Sequence, residues 1–312
     1  MASSSTTKSA AVGSRVASSN GLSSSSSPSS SSKILYIVRH GQAMHNPRAE
    51  AAKEKGCSME EFFRLMREDD ALDADLTELG KSQGRKCHKD HFVVEGESSH
   101  NPLGIDLVVA SCLSRTIDTA DLVFPPYSAS GNEKSPRRIC IDKFREVNGN
   151  LLNGKRRTKS ELIARNPNWT FDSLTTENDE SWTPEMEKYE DTAERGYQGL
   201  IELLTGEPYS KIGSESSTNT ESNDNNDVTT ILLVCHGGIL RYLMDLHPLV
   251  HLADERTTNH DEDSTVKSVN SRFDNCELRK YRLSWKDDII GGDTKESGDG
   301  SRRAIILTQL DQ

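Results

Sequence analysis

The sequence predicts an α/β domain built on a mostly parallel sheet, and three observations carry that reading. Short continuous apolar runs, ILYIV at 34–38 and the stretch 228–235, have the length and composition of strands buried on both faces. Amphipathic segments of helical length separate the strand candidates, as parallel strands require for their crossovers. The first run ends in Arg-His-Gly and the second in His-Gly-Gly, at the strand-to-loop transition where sites gather in such sheets.

The elements follow in chain order. Residues 1–33 hold sixteen serines and only Lys8, Arg15 and Lys33 as charged groups, too little apolar mass to repay the entropy of ordering. This arm reads as a disordered tail. A transit peptide is the alternative, because acidic residues are absent and Lys and Arg are scattered. After the 34–38 strand, a helix is expected over 76–94 with Thr77 as its N-cap. A strand at 105–110, a helix at 113–124 and a short strand at 138–141 come next. A long helix over 185–205 stops at Gly206, a C′ residue, and the 228–235 strand leads to a helix starting near Ile239. Residues 279–285 and 304–310 fit late strands at a sheet edge. Stretches near 211–227, 253–272 and 286–301 are nearly devoid of apolar residues and read as surface inserts of one domain, 34–312.

Composition excludes several functions. A net charge of −11, with no basic stripe carrying interleaved aromatics, argues against nucleic acid as a partner. No run of eighteen apolar residues and no apolar core near the start support a membrane span or a secretory signal. A cytoplasmic protein is expected, or a plastid or other organellar one if the arm is a transit peptide. Six cysteines at 57, 87, 112, 140, 235 and 276 form no CxxC pair and fit a reducing compartment. Cys87, His88 and His91 lie on one predicted helix but lack further ligands for a metal. No metal and no cofactor are expected, and oligomeric state has no signature.

Chemistry concentrates in VRHG (38–41) and CHGG (235–238). Glycine after each histidine lets backbone N–H groups approach a ligand, and the helix after the second offers its positive end to an anion. Arg39 and Arg115 add guanidinium forks able to hold two phosphoryl oxygens each.

In order, VRHGQAMHN, SCLSRTIDTA (111–120), FREVNG (144–149) and CHGG resemble the motifs of the histidine phosphatase superfamily, which includes the cofactor-dependent phosphoglycerate mutases. DADLTELG, GKRRTKSEL and NPNWTFD resemble its plant and fungal phosphoglycerate mutase-like members. The resemblance implies a three-layer α/β/α sandwich. It makes His40 the nucleophile, Arg39 and Arg115 phosphate binders, His236 a second phosphate-contacting histidine and Glu146 the proton donor, with Asp142 as Glu146's nearest rival. It also implies a backbone hydrogen bond that keeps the His40 lone pair available. Asn46 and Ser111 align with pocket positions, Gln42 lies beside them, and Gly41 and Gly237 are the close-approach glycines. Arg156, in Lys155-Arg156-Arg157, is a candidate for a second anionic group.

The chain departs from the family pattern at Cys112, Asp118, Cys235 and NGNLLNG, and the acid loop, which with residues 150–190 shapes the pocket mouth in this family, lacks the typical mutase wording. A metal-independent phosphatase acting on small phosphomonoesters is therefore favoured. Phosphoglycerate mutase-type transfer is the alternative, and a non-catalytic phosphate-binding domain is the third reading.

Overall fold

The computed structural model describes residues 32–96, 99–127, 135–206, 229–255, 270–286 and 302–311. Its elements are β1 (Lys33–Arg39), α1 (Pro47–Glu54), α2 (Met59–Glu68), α3 (Glu78–His91), β2 (Leu107–Ala110), α4 (Ser114–Val123), β3 (Arg137–Cys140), α5 (Lys159–Arg165) and α6 (Tyr189–Thr205). They continue with β4 (Thr230–Cys235), α7 (Gly237–Leu246), β5 (Val250–Asp254), β6 (Leu278–Trp285) and β7 (Ile305–Gln309). The strands form one sheet in the order β3-β2-β4-β1-β6-β7-β5, in which β6 alone runs antiparallel to its neighbours.

Alternation along the strands builds three layers. Leu35, Ile37, Val109 and Leu233 pack with Leu200 and Leu203 of α6 and Ile239 and Leu243 of α7 on one face. Tyr36, Val38, Val108 and Val234 pack with Cys87 of α3 and Ile117 and Ala120 of α4 on the other. A strand covered on both faces needs apolar residues at both parities, which is why ILYIV reads as a continuous run.

Register places the site. Val38 lies opposite Val234 and Arg39 opposite Cys235 in the parallel β1/β4 pair, so His40 and His236 leave the sheet side by side. The His40 N–H donates to the Cys235 carbonyl (3.0 Å). β2 lies on the other side of β4, and Ser111 N–H donates to the Val234 carbonyl (3.2 Å).

Several boundaries differ from expectation. Thr77 does cap α3, its hydroxyl accepting from Gly80 N–H, and Gly206 does end α6 in the left-handed region (φ 77°). α7 begins at Gly237, two residues before Ile239, because His236 itself takes the extended N-cap conformation. α6 starts at Tyr189 rather than 185. The late strands are not edge strands: β6 lies between β1 and β7, and β5 covers β7. β5 takes in Ala253 and Asp254, which the sequence placed in an insert, and β1 takes in Lys33 from the supposed arm. Helices α1, α2 and α5 went unforeseen; α1 buries only Ala49, so its charged sequence carries no core stripe. The 211–227 insert and residues 1–31 lie outside the described residues, as do most of the other two inserts. No helix among the described residues is long and apolar enough to cross a membrane.

Candidate active site

Five predicted residues converge where the β1 and β4 strands end. His40 is 3% exposed, and its Nδ1 lies 2.6 Å from the Gly41 carbonyl, an acceptor only, so Nδ1 carries the proton and Nε2 keeps its lone pair. Burial, then the charges of Arg115 and Arg39, hold this imidazole well below the usual histidine range and therefore neutral at pH 7. His236 stands against it with ring centroids 5.0 Å apart, its Nε2 2.6 Å from Ser111 Oγ. Burial first, and Arg115 next, depress His236 as well.

The cations around this pair are incompletely partnered. Arg39 donates to the Phe273 carbonyl and to Glu50, and Arg115 to the Asn153 carbonyl (2.6 Å), yet Nε of both is buried without an acceptor. Nδ1 of His236 and of His45 is also buried and unpartnered. Four such nitrogens from four residues at one spot are expensive in a finished core but suit a site awaiting an oxyanion. Desolvation lowers Arg115 to about 10, which leaves it charged at neutral pH, and the buried carboxylate of Asp73 beside it supplies an opposing charge.

Glu146 reaches the site from the loop after β3. Its Oε2 accepts from Gly238 N–H (3.1 Å) and its Oε1 from Ile239 N–H (3.0 Å) and Val147 N–H (2.9 Å), so the carboxyl sits on the N-terminus of α7. A Cβ on Gly238 would fall 2.1 Å from Glu146 Oε1, which gives the second glycine of CHGG a steric reason. A Cβ on Gly41 would meet the Gly80 carbonyl at 2.6 Å, so Gly41 serves the approach of the α3 start.

The loop itself is braced. Arg145, 1% exposed, is bound to Asp142 and Asp179 rather than to Glu146. Asp142 is thereby engaged, and it does not line the cavity over His40. Arg195 of α6 donates to the carbonyls of Lys143 (2.9 Å), Arg145 (2.9 Å) and Glu146 (3.1 Å) while its other edge holds Glu187 (2.6 Å).

Above the floor opens a cavity of about 380 Å³ lined by Arg39, His40, Glu146, Asn46 and Gly237, with apolar side chains from α2, α6 and α7 for walls. Other expected substrate contacts lie elsewhere. Ser111 is fully buried behind His236. Gln42 bonds Glu50 and faces an adjoining hollow. Arg156 is removed from the cavity, because its guanidinium donates to the carbonyls of Arg157, Thr176, Glu177 and Asn178 and is buried doing so. It braces the 176–179 turn. His45, Asn153 and Arg195 escaped the sequence reading; His45 was visible within VRHGQAMHN, whereas Arg195 and Asn153 carry no local signal.

The family model described as the histidine phosphatase superfamily (branch 1) matches residues 35–282. Phosphoglycerate mutase-like protein 1 of Arabidopsis thaliana is 26% identical over 269 residues, 79% of this chain and 79% of that one. A phosphoglycerate mutase-like protein of the same plant is 27% identical over 195 residues, covering 55% and 66% of the two chains. Similar solved structures include the mycobacterial glucosyl-3-phosphoglycerate phosphatase with VO3, at 17% identity over 80% of this chain and 93% of that one (TM-score 0.38). The ecdysone phosphate phosphatase from Bombix mori with tungstate is 12% identical over 80% and 89% (TM-score 0.42).

Proposed function

The chain belongs to the histidine phosphatase superfamily, and from that premise we propose that it is a metal-independent phosphatase that hydrolyses phosphomonoesters through a phosphohistidine at His40. The observation that carries this reading is the His40 imidazole: Nδ1 is tied to the Gly41 carbonyl at 2.6 Å, the ring is held neutral, and its free Nε2 lies among groups suited to an oxyanion.

In the first step Nε2 attacks phosphorus, the P–O ester bond breaks and the alkoxide takes a proton from the Glu146 carboxyl. In the second, Glu146 takes a proton from water, whose oxygen attacks the phosphohistidine and breaks the P–N bond. Arg39, Arg115 and His236 meet the negative charge that builds on the equatorial oxygens, the work Mg²⁺ performs in other phosphoryl transfer sites. A floor of fixed cations disfavours a divalent ion at the same spot, which supports the metal-free reading. The partner is a small phosphorylated molecule, in keeping with a chain of net charge −11 that would repel a nucleic acid.

The test measures inorganic phosphate released from a panel of phosphomonoesters by wild type and His40→Ala, with and without chelator, alongside trapping of the phosphoenzyme. Release that resists chelator and requires His40, with label on His40, is expected; loss of activity in EDTA would sink the metal-free account.

A further inference from the structure

The walls of the cavity differ in character from its floor. Helix α2 carries the sequence MEEFFRLMRE, in which only Leu65 is buried. Met59 and Phe63, and Phe62 and Met66, are i,i+4 pairs on the side facing the cavity. Met59 is 59% exposed, and both phenylalanines keep part of their surface open. The two rings meet edge to face at 5.7 Å. Opposite them, Tyr189 of α6 and Tyr242 of α7 lie stacked at 4.1 Å and 11°. Phe273 joins floor and wall: its carbonyl accepts from Arg39, and the residue lines the same cavity.

A helix whose remaining face is charged leaves four large apolar side chains partly uncovered only at a cost, and such a patch marks a place where apolar matter docks. Charged residues also line the cavity, among them Lys53, Arg241 and Arg272, but three polar side chains nearest the catalytic pair are already engaged. Asn46 Oδ1 accepts from Ala43 N–H, Asn153 Nδ2 donates to Asp70, and both oxygens of Glu146 hold backbone N–H groups. A polyol entering here would leave the faces of Phe62, Phe63 and Met66 uncovered, whereas a planar apolar group would cover them.

We propose that the ester group taken by this site is an aromatic alcohol, so that the substrate class is the phosphate monoester of a bulky planar apolar alcohol rather than of a sugar or glycerate. The inference rests on the phosphatase reading for the position of the phosphate, which fixes where the ester group must project: from the His40 floor toward α2 and the stacked tyrosines. Phe62 and Phe63 are then specificity-determining residues.

The test compares 2-phenylethyl phosphate with glycerol 3-phosphate. Both leave as primary alkoxides, so their difference in kcat/KM reports the wall and not leaving-group chemistry. A preference of about 10-fold or more for the aromatic ester is expected, the scale of discrimination that apolar pocket contacts supply. Phe62→Ser and, as a milder and more exposed change, Met59→Ser should each narrow that ratio in protein shown to be folded by circular dichroism. Equal rates, a preference for the glycerol ester, or a ratio unmoved in both folded variants would overturn the inference. Calorimetric binding of 2-phenylethylphosphonate against methylphosphonate separates the two readings. If neither ester releases phosphate, the phosphatase reading fails, and tighter binding of the aromatic phosphonate still sustains the apolar wall, whereas equal binding removes it.

Discussion

His40, His45 and His236 are each pushed well below the usual histidine value of 6.5, burial being the largest cause in all three and Arg115 the next. A histidine depressed in the folded protein takes up its proton more readily when unfolded, so it costs nothing above pH 6.5 and destabilises the fold as pH falls below it. Three such groups give a slope of up to ~4 kcal/mol per pH unit at ~1.4 kcal/mol for each. Urea denaturation followed from pH 7.5 to 5 should show stability falling from about pH 6.5 downward, with a shallower fall in His45→Asn. A flat profile would mean that these imidazoles are not held neutral. The same residue scale yields a steric prediction. Gly238→Ala would put a Cβ 2.1 Å from Glu146 Oε1 and so move the carboxyl off the α7 terminus. Turnover should drop ~100-fold or more, the lower range for loss of general acid assistance, with KM changing less; unchanged kcat would argue that Glu146 acts from another position.

At the scale of elements, the loop that carries Glu146 depends on α6. Arg195 binds three carbonyls of that loop, those of Lys143, Arg145 and Glu146, on one edge of its guanidinium and Glu187 on the other, a planar fork that a lysine cannot reproduce. Arg195 is a positioning residue, since it acts on the loop main chain and not on substrate. Arg195→Lys should therefore lower kcat more for esters with poor leaving groups than for those with good ones. KM should barely move. A uniform loss across leaving groups would assign the effect to general loosening of the fold. The first and last motifs depend on a different element, the β1/β4 pair. Its register of Arg39 with Cys235 sets His40 beside His236 before any side chain contributes.

For the whole molecule, the two apolar layers share the same strands. Leu233 belongs to one layer and its neighbours Leu232 and Val234 to the other, so a cavity opened at β4 is felt on both sides of the sheet. Leu233→Ala should cost about 2–5 kcal/mol in urea denaturation, through lost transfer energy and residual void. Because the same strand ends at His236, activity in the folded fraction should fall too. A loss below 1 kcal/mol would show that the centre of the sheet is less tightly packed than described.

Much of this was legible from local sequence. The apolar runs at 34–38 and 228–235, the Thr77 cap and the Gly206 stop are patterns written within a few residues, and each corresponds to an element or boundary in the fold. The His-Gly junctions likewise mark strand ends because a buried strand must exit somewhere. The sheet order was not legible. β6 and β7 read as edge strands because their patterns are more mixed, yet they lie inside the sheet, and the pairing of β6 with β1 from the far end of the chain leaves no local trace. The same holds for the Arg195 clamp, for the unpartnered nitrogens around His40 and for the aromatic wall on α2. Arg156 and Arg195 are both arginines in polar surroundings, and only the packed chain directs one to a turn and the other to the loop that bears Glu146. Hydrophobic periodicity and capping are properties of neighbours along the chain and were determined by the sequence read by itself. Which charges face one another, and what lines the cavity above them, follow from strand register and helix packing, which only the tertiary structure decides.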